Sequence, residues 1–137
     1  MTDILNSIDI ASSGMYVQSE RLKVISQNIA NADSTATTPG GKPYQRKTIS
    51  FQNVLDRQIG LDKVEVAKIG TDKADFEKKY EPSHPAADEN GYVMYPNVNS
   101  LIEMTDMKEA KNAYEANLSV IEIAKSMIQR TLDLLRV

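Results

Sequence analysis

The sequence predicts a mainly α-helical chain with a small, mostly β insertion, its long N- and C-terminal helices forming an antiparallel coiled-coil-like pair in an assembly. Three observations carry that prediction. Apolar residues near the start recur at alternating steps of four and three, the spacing of a helix that buries one seam. The same alternation returns over the last third of the chain. Between them the texture changes to a Thr-, Pro- and Gly-containing loop and short stretches that alternate polar with apolar residues. A length of 137 residues suits one domain and leaves little room for two full cores.

The first helix is expected at residues 3 to 31. Its seam runs through Ile4, Ile8, Ala11, Met15, Gln18, Leu22, Ile25 and Ile29, with Gln18 the one polar member. Asp3 is suited to an N-cap. Asn31-Ala32-Asp33-Ser34-Thr35 brings side chains that compete for backbone hydrogen bonds and so end the helix. The last helix is expected at 99 to 135, after Pro96, with Asn97 or Asn99 as its cap. Met104, Met107, Tyr114, Leu118, Ile121, Ile128, Leu132 and Leu135 form its seam. Lys111 and Lys125 interrupt it, and Ala110 and Ala124 beside them carry the apolar stripe past.

Ser34 to Lys42 reads as a linker. Strand signals follow at the end of Tyr44 to Phe51, at Val64 to Ile69 and, more weakly, at Asp75 to Tyr80 and Tyr92 to Tyr95, with Asn90-Gly91 marking a tight turn. Ile49, Phe51, Val64, Val66, Ile69, Phe76, Tyr92 and Val93 are the expected core of this middle part. The organisation is therefore an N-terminal helix over 1–32, a linker and β-rich insertion over 33–96, and a C-terminal helix over 97–137. So small an insertion is marginally stable alone.

Composition narrows the function classes. Sixteen Lys and Arg stand against 19 Asp and Glu, for a formal net charge of -3, and no third of the chain holds a basic excess that would neutralise a phosphate backbone. Nucleic acid is not an expected partner. Cysteine is absent, which removes disulfides, thiol catalysis and thiolate metal sites. His84 is the single histidine and lies between Pro82 and Pro85, where stabilising a turn is the simpler role than binding metal. No Gly-x-Ser-x-Gly and no phosphate-binding glycine loop occurs, so neither an enzyme, a cofactor nor a small-molecule substrate is expected. Acidic Asp3 and Asp9 replace the positive start of a secretory signal, and no apolar run nears the roughly twenty residues that span a bilayer.

Burying the seams offsets only part of the entropy lost when about thirty residues order into each helix. The terminal helices are accordingly expected to be labile alone and ordered against neighbouring subunits. The same heptads also fit an ordinary intramolecular pair covering a β core, as in a soluble coiled-coil adaptor or binding module.

A more specific pointer comes from longer motifs. Ala11-Ser12-Ser13-Gly14-Met15, Gln18, Arg21, Leu22 and Asn28-Ile29-Ala30-Asn31 resemble the N-terminal signature of flagellar rod and hook subunits. Pro43-Tyr44-Gln45-Arg46-Lys47, the stretch from Pro82 to Val93, Pro96-Asn97-Val98-Asn99, Glu103-Met104-Thr105-Asp106-Met107, Ala110 and Tyr114-Glu115-Ala116-Asn117 resemble motifs of a proximal-rod member. Ser83 and Ser100 stand where Gly and Pro are commoner, and Met94-Tyr95 is less typical. Over nearly its whole length the chain is thus similar to the flagellar basal-body rod proteins. The resemblance implies a structural subunit that self-associates and joins other proximal and distal rod subunits in a helical tube. It also implies contact with the membrane-supramembrane ring and its rod-adaptor protein, torque transmission in the periplasm, and passage through the flagellar type III export apparatus without a cleaved signal. The seam residues named above, together with Asn28, are the expected assembly contacts.

Overall fold

A computed structural model of the chain describes residues 1–136. The order of elements is α1 (Thr2–Ala30), β1 (Lys47–Asp56), β2 (Leu61–Thr71), β3 (Glu77–Tyr80), β4 (Tyr92–Tyr95) and α2 (Ser100–Leu135). About half the chain is helical, and the two long helices flank a short antiparallel β region, as the periodicities predict.

Both helix ends have a visible chemical cause. The Asn99 side-chain oxygen accepts the backbone N–H groups of Leu101 (3.1 Å) and Ile102 (3.3 Å), satisfying two donors that the first turn of α2 leaves free. Asn97, the other candidate cap, is used elsewhere. α1 begins at Thr2, so Asp3 lies inside its first turn rather than before it, where its carboxylate faces the positive end of the helix dipole. At the far end Asn31 donates its side-chain amide to the Gln27 carbonyl at 2.8 Å, and Ser34 donates to Asn31 Oδ1 at 3.1 Å.

The strands form two separate ribbons. β1 pairs with β2 across a four-residue connection, which only an antiparallel pair permits. Gly60 takes a φ of 67° there, and its N–H meets the Asp56 carbonyl at 2.8 Å. The Lys63 ammonium, 2.8 Å from the Asp56 carboxylate, together with the Gln58 N–H holds that carboxyl below its ordinary pKa. β3 and β4 run antiparallel with Glu77 opposite Tyr95 and Tyr80 opposite Tyr92. Before β4, Asp88 Oδ1 accepts the N–H groups of Asn90 and Tyr92, both at 2.9 Å, and Gly91 adopts a φ of 86°. The Asn90-Gly91 signal is therefore a real turn, built on an Asx side chain.

The described residues gather into two compact units. The first comprises 1–22, 50–68 and Lys108 onward; the second comprises 23–49 and 69–107. In the first, Ala11, Val17, Ala110 and Ala124 are buried, Phe51, Val64 and Val66 are half-buried, and the Val64 N–H reaches Ser13 Oγ at 3.4 Å. In the second, Val24, Ile25, Pro43, Ala86, Val93 and Pro96 make the core. Two expected core residues lie outside: Ile69 is 50% and Tyr92 44% exposed. A two-stranded ribbon has too little width to cover both faces, and Tyr92 instead meets Tyr80 edge to face at 5.3 Å.

Candidate assembly surface and its anchoring cluster

In the first unit the two helices run antiparallel in close contact. Gly14 lies against Asn117, and Arg21 reaches Glu109 at 3.4 Å. A Cβ at position 14 would stand only 2.8 Å from Asn117 Nδ2, so the absence of a side chain sets how near the helices come. Ala11, Ala110 and Ala124 are the other small residues that these helices bury in this unit.

The expected contact residues divide into three groups. Ala11, Ile25 and Asn28 are buried within the chain. Ile4, Ile8, Met15, Leu22, Ile29, Met107, Tyr114, Ile121 and Ile128 are half-buried. Met104, Leu118, Leu132 and Leu135 are exposed, the last by 74%. Sequence periodicity missed Val17, Val24 and Glu103, which are 1%, 4% and 1% exposed. The inward line of α2 passes through the buried Glu103, Ala110 and Ala124 and the half-buried Asn117, one residue before the expected 104, 111, 118 and 125, which explains the two interrupting lysines: both are exposed. Two alanines, an Asn and a Glu give this line almost no hydropathy signal.

The second unit is held by a polar cluster. Asn28, at the end of α1, uses all of its amide. Its Nδ2 donates to the Lys47 carbonyl (2.9 Å) and to Glu103 (3.3 Å), while its Oδ1 accepts the Lys47 N–H (2.9 Å) and the Tyr44 hydroxyl (2.8 Å). The side chain thus pairs with both backbone groups of Lys47, as a neighbouring strand would. Arg46 donates through Nε to the buried Glu103 and lies 3.4 Å from Asp72 and 4.0 Å from Asp106. Asn97 accepts the Arg46 N–H at 2.8 Å and donates to the carbonyls of Asp72 and Ala74, each at 3.1 Å. Burial of Arg46 works against its charge, yet Glu103 and Asp72 outweigh it and the guanidinium pKa is raised.

Burial, followed by the Glu103 charge, raises the Tyr44 pKa above the ordinary tyrosine value of about 10. A raised folded-state value means that the associated stability is complete below the unfolded pKa and is lost as pH climbs through the folded one. Alkaline titration above about pH 10 is therefore expected to destabilise the chain, and Tyr44→Phe to flatten that loss. Urea midpoints between pH 8 and 11.5 check it; equal slopes for both proteins would contradict it.

His84 accepts the Ala86 N–H through Nδ1 at 3.0 Å and so closes a turn, as its flanking prolines suggest. No helix of the described residues is long and apolar enough to cross a membrane.

The family description Flagella basal body rod protein matches residues 8–36, and Flagellar basal body rod FlgEFG protein C-terminal matches residues 89–134. A flagellar basal-body rod protein FlgC of Agrobacterium fabrum is 53% identical over 127 residues, covering 93% of this chain and 91% of that one. The chain belongs to the FlgC family of flagellar basal-body rod proteins. FlgC proteins of Borreliella burgdorferi and Salmonella typhimurium are each 42% identical, over 97% and 96% of this chain and 98% and 97% of their own. The two matched segments contain both sides of the helix contact, Gly14 and Asn117, and the two buried polar anchors, Asn28 and Glu103. Nothing in these relationships favours the adaptor reading outside a flagellum.

Proposed function

We propose that this FlgC-family chain is a structural subunit of the proximal rod that polymerises through its terminal helices. Residues 1–32 and 97–137 supply the tube and 33–96 its flanking region. The supporting observation is the apolar surface that α2 leaves in water, with Leu118, Ile123, Met127, Leu132, Leu134 and Leu135 between 38% and 77% exposed. Isolated large apolar side chains are ordinary, but this many on one helix calls for a covering partner. The half-buried and exposed seam residues named from the sequence, from Ile4 to Ile29 and from Met104 to Leu135, are the proposed contacts, while Ala11, Ile25 and Asn28 act within the chain. Neighbouring rod subunits, the membrane ring and its adaptor are the proposed partners, and the subunit transmits torque between them. It reaches the periplasm through the flagellar export apparatus without signal cleavage, with its terminal helices ordered on arrival. No catalytic step enters this role.

A strain lacking the chain tests the proposal. The intact gene is expected to restore swimming and rods visible by electron microscopy, whereas versions lacking residues 2–30 or 108–137 restore neither. Normal rods from either truncation overturn the proposal.

A further inference from the structure

Asn90 and Gly91 form the chain's one Asn-Gly pair. Such a pair carries chemistry of its own, because glycine has no side chain to shield its amide nitrogen from the preceding asparagine. When the Gly91 nitrogen attacks the Asn90 side-chain carbonyl carbon, a C–N bond forms and the Cγ–Nδ2 bond breaks. The amide proton leaves with Nδ2 as ammonia. Water then opens the resulting succinimide at either carbonyl, giving aspartate or isoaspartate, and it is the only co-reactant.

The structure leaves one half of this reaction free and holds the other. Asn90 is exposed, and its side-chain amide makes no hydrogen bond among the described residues. Gly91 is held on several sides. Its N–H donates to the Asp88 carbonyl at 3.0 Å, its carbonyl accepts the Glu81 N–H at 2.9 Å, and a Cβ on it would stand 2.9 Å from Tyr80 Cε2. Asp88 Oδ1 fixes both neighbours, accepting the N–H groups of Asn90 and Tyr92 at 2.9 Å. To attack, the Gly91 nitrogen must leave the Asp88 carbonyl, turn towards the Asn90 side chain and give up its proton beside a carboxylate whose charge opposes a negative nitrogen. The closed turn prevents the first of these movements, so the reaction follows its opening.

We propose that Asn90 is a site of spontaneous deamidation which the closed turn before β4 protects, and which reacts in chains that stand open. Isoaspartate adds a carbon to the main chain between residues 90 and 91. The three N–H groups gathered by Asp88, and the pairing of Tyr80 with Tyr92 beyond them, then lose their common register. A chain that waits unfolded is thereby marked irreversibly. Only the consequence for a subunit exported unfolded, a limit on how long it can wait, rests on the rod reading.

Peptide mass spectrometry on the purified full-length chain tests this. In mildly alkaline buffer, deamidation at Asn90 is expected to run at least about tenfold faster in unfolding urea than without it. Asp88→Ala removes two hydrogen bonds from the closed turn, so it is expected to speed the reaction of the folded chain about tenfold and to leave the rate in urea unchanged. Asn90→Gln is expected to abolish the modification in both conditions. Parent chain aged in urea and refolded is expected to unfold at lower urea than fresh chain, whereas aged Asn90→Gln matches its fresh form. Equal rates for the parent with and without urea, or modification confined to other asparagines, overturn the proposal, and neither comparison depends on whether Asp88→Ala folds. Every readout uses the isolated chain, so a failure to restore rods in cells counts against the rod reading and not against this site.

Discussion

Arg46→Met is expected to cost about 3 kcal/mol at neutral pH, measured by urea unfolding. Glu103 is 1% exposed and takes its strongest hydrogen bond from Arg46 Nε. Removing the guanidinium leaves a carboxylate that is out of water and keeps only the Asn28 amide, at 3.3 Å, as a side-chain donor. Loss of one partner of a buried pair typically costs about 3 to 5 kcal/mol, and the lower end applies because the Arg46 side chain is 25% exposed. Arg46→Met combined with Glu103→Leu is expected to recover most of the loss, since no charge then remains unpaired. A single variant within about 0.5 kcal/mol of the parent would show that Glu103 is solvated or neutral in the folded chain.

The same pair shows where sequence reasoning stops. Glu103 lies in the first turn of α2, where a carboxylate is ordinarily explained by the helix dipole and left in water. Nothing local marks it as buried; its partners are Arg46 and Asn28, each more than fifty positions away. Helix lengths, a cap at Asn97 or Asn99, the Asn90-Gly91 turn and the four strand locations were legible because each is set by residues within one or two turns of chain. The phase of the helix contact was not. In α1 the predicted seam is buried at Ala11 and Ile25 and half-buried at Ile4, Ile8, Met15 and Leu22, while Val17 and Val24, off that seam, are enclosed as well. A close helix contact is lined by the smallest residues, and Gly14, Ala110 and Asn117 contribute little to any hydropathy period. Larger side chains dominate the pattern, which displaces the apparent seam of α2 by one residue.

Gly14 provides the second large effect, and a cycle that tests the contact itself. Gly14→Leu is expected to destabilise the chain by about 2 kcal/mol, within the range for forcing extra atoms into a filled contact. The added Cβ alone would lie 2.8 to 3.0 Å from three atoms of the Asn117 amide, and that amide is held by its own bond to the Ala113 carbonyl at 3.0 Å. Gly14→Ala sets two terms in opposition: about 1 kcal/mol of gained helix propensity, and the displacement of Asn117. Paired with Asn117→Ala the obstruction disappears, so the double variant is expected to exceed the parent in stability by up to about 1 kcal/mol. A Gly14→Ala gain of the same size with Asn117 intact would mean the helices are not in contact here. In cells the two substitutions separate stability from shape. Gly14→Leu pushes α2 away from α1 and changes the surface offered to neighbours, so it is expected to abolish swimming; Gly14→Ala with Asn117→Ala keeps the spacing and should swim.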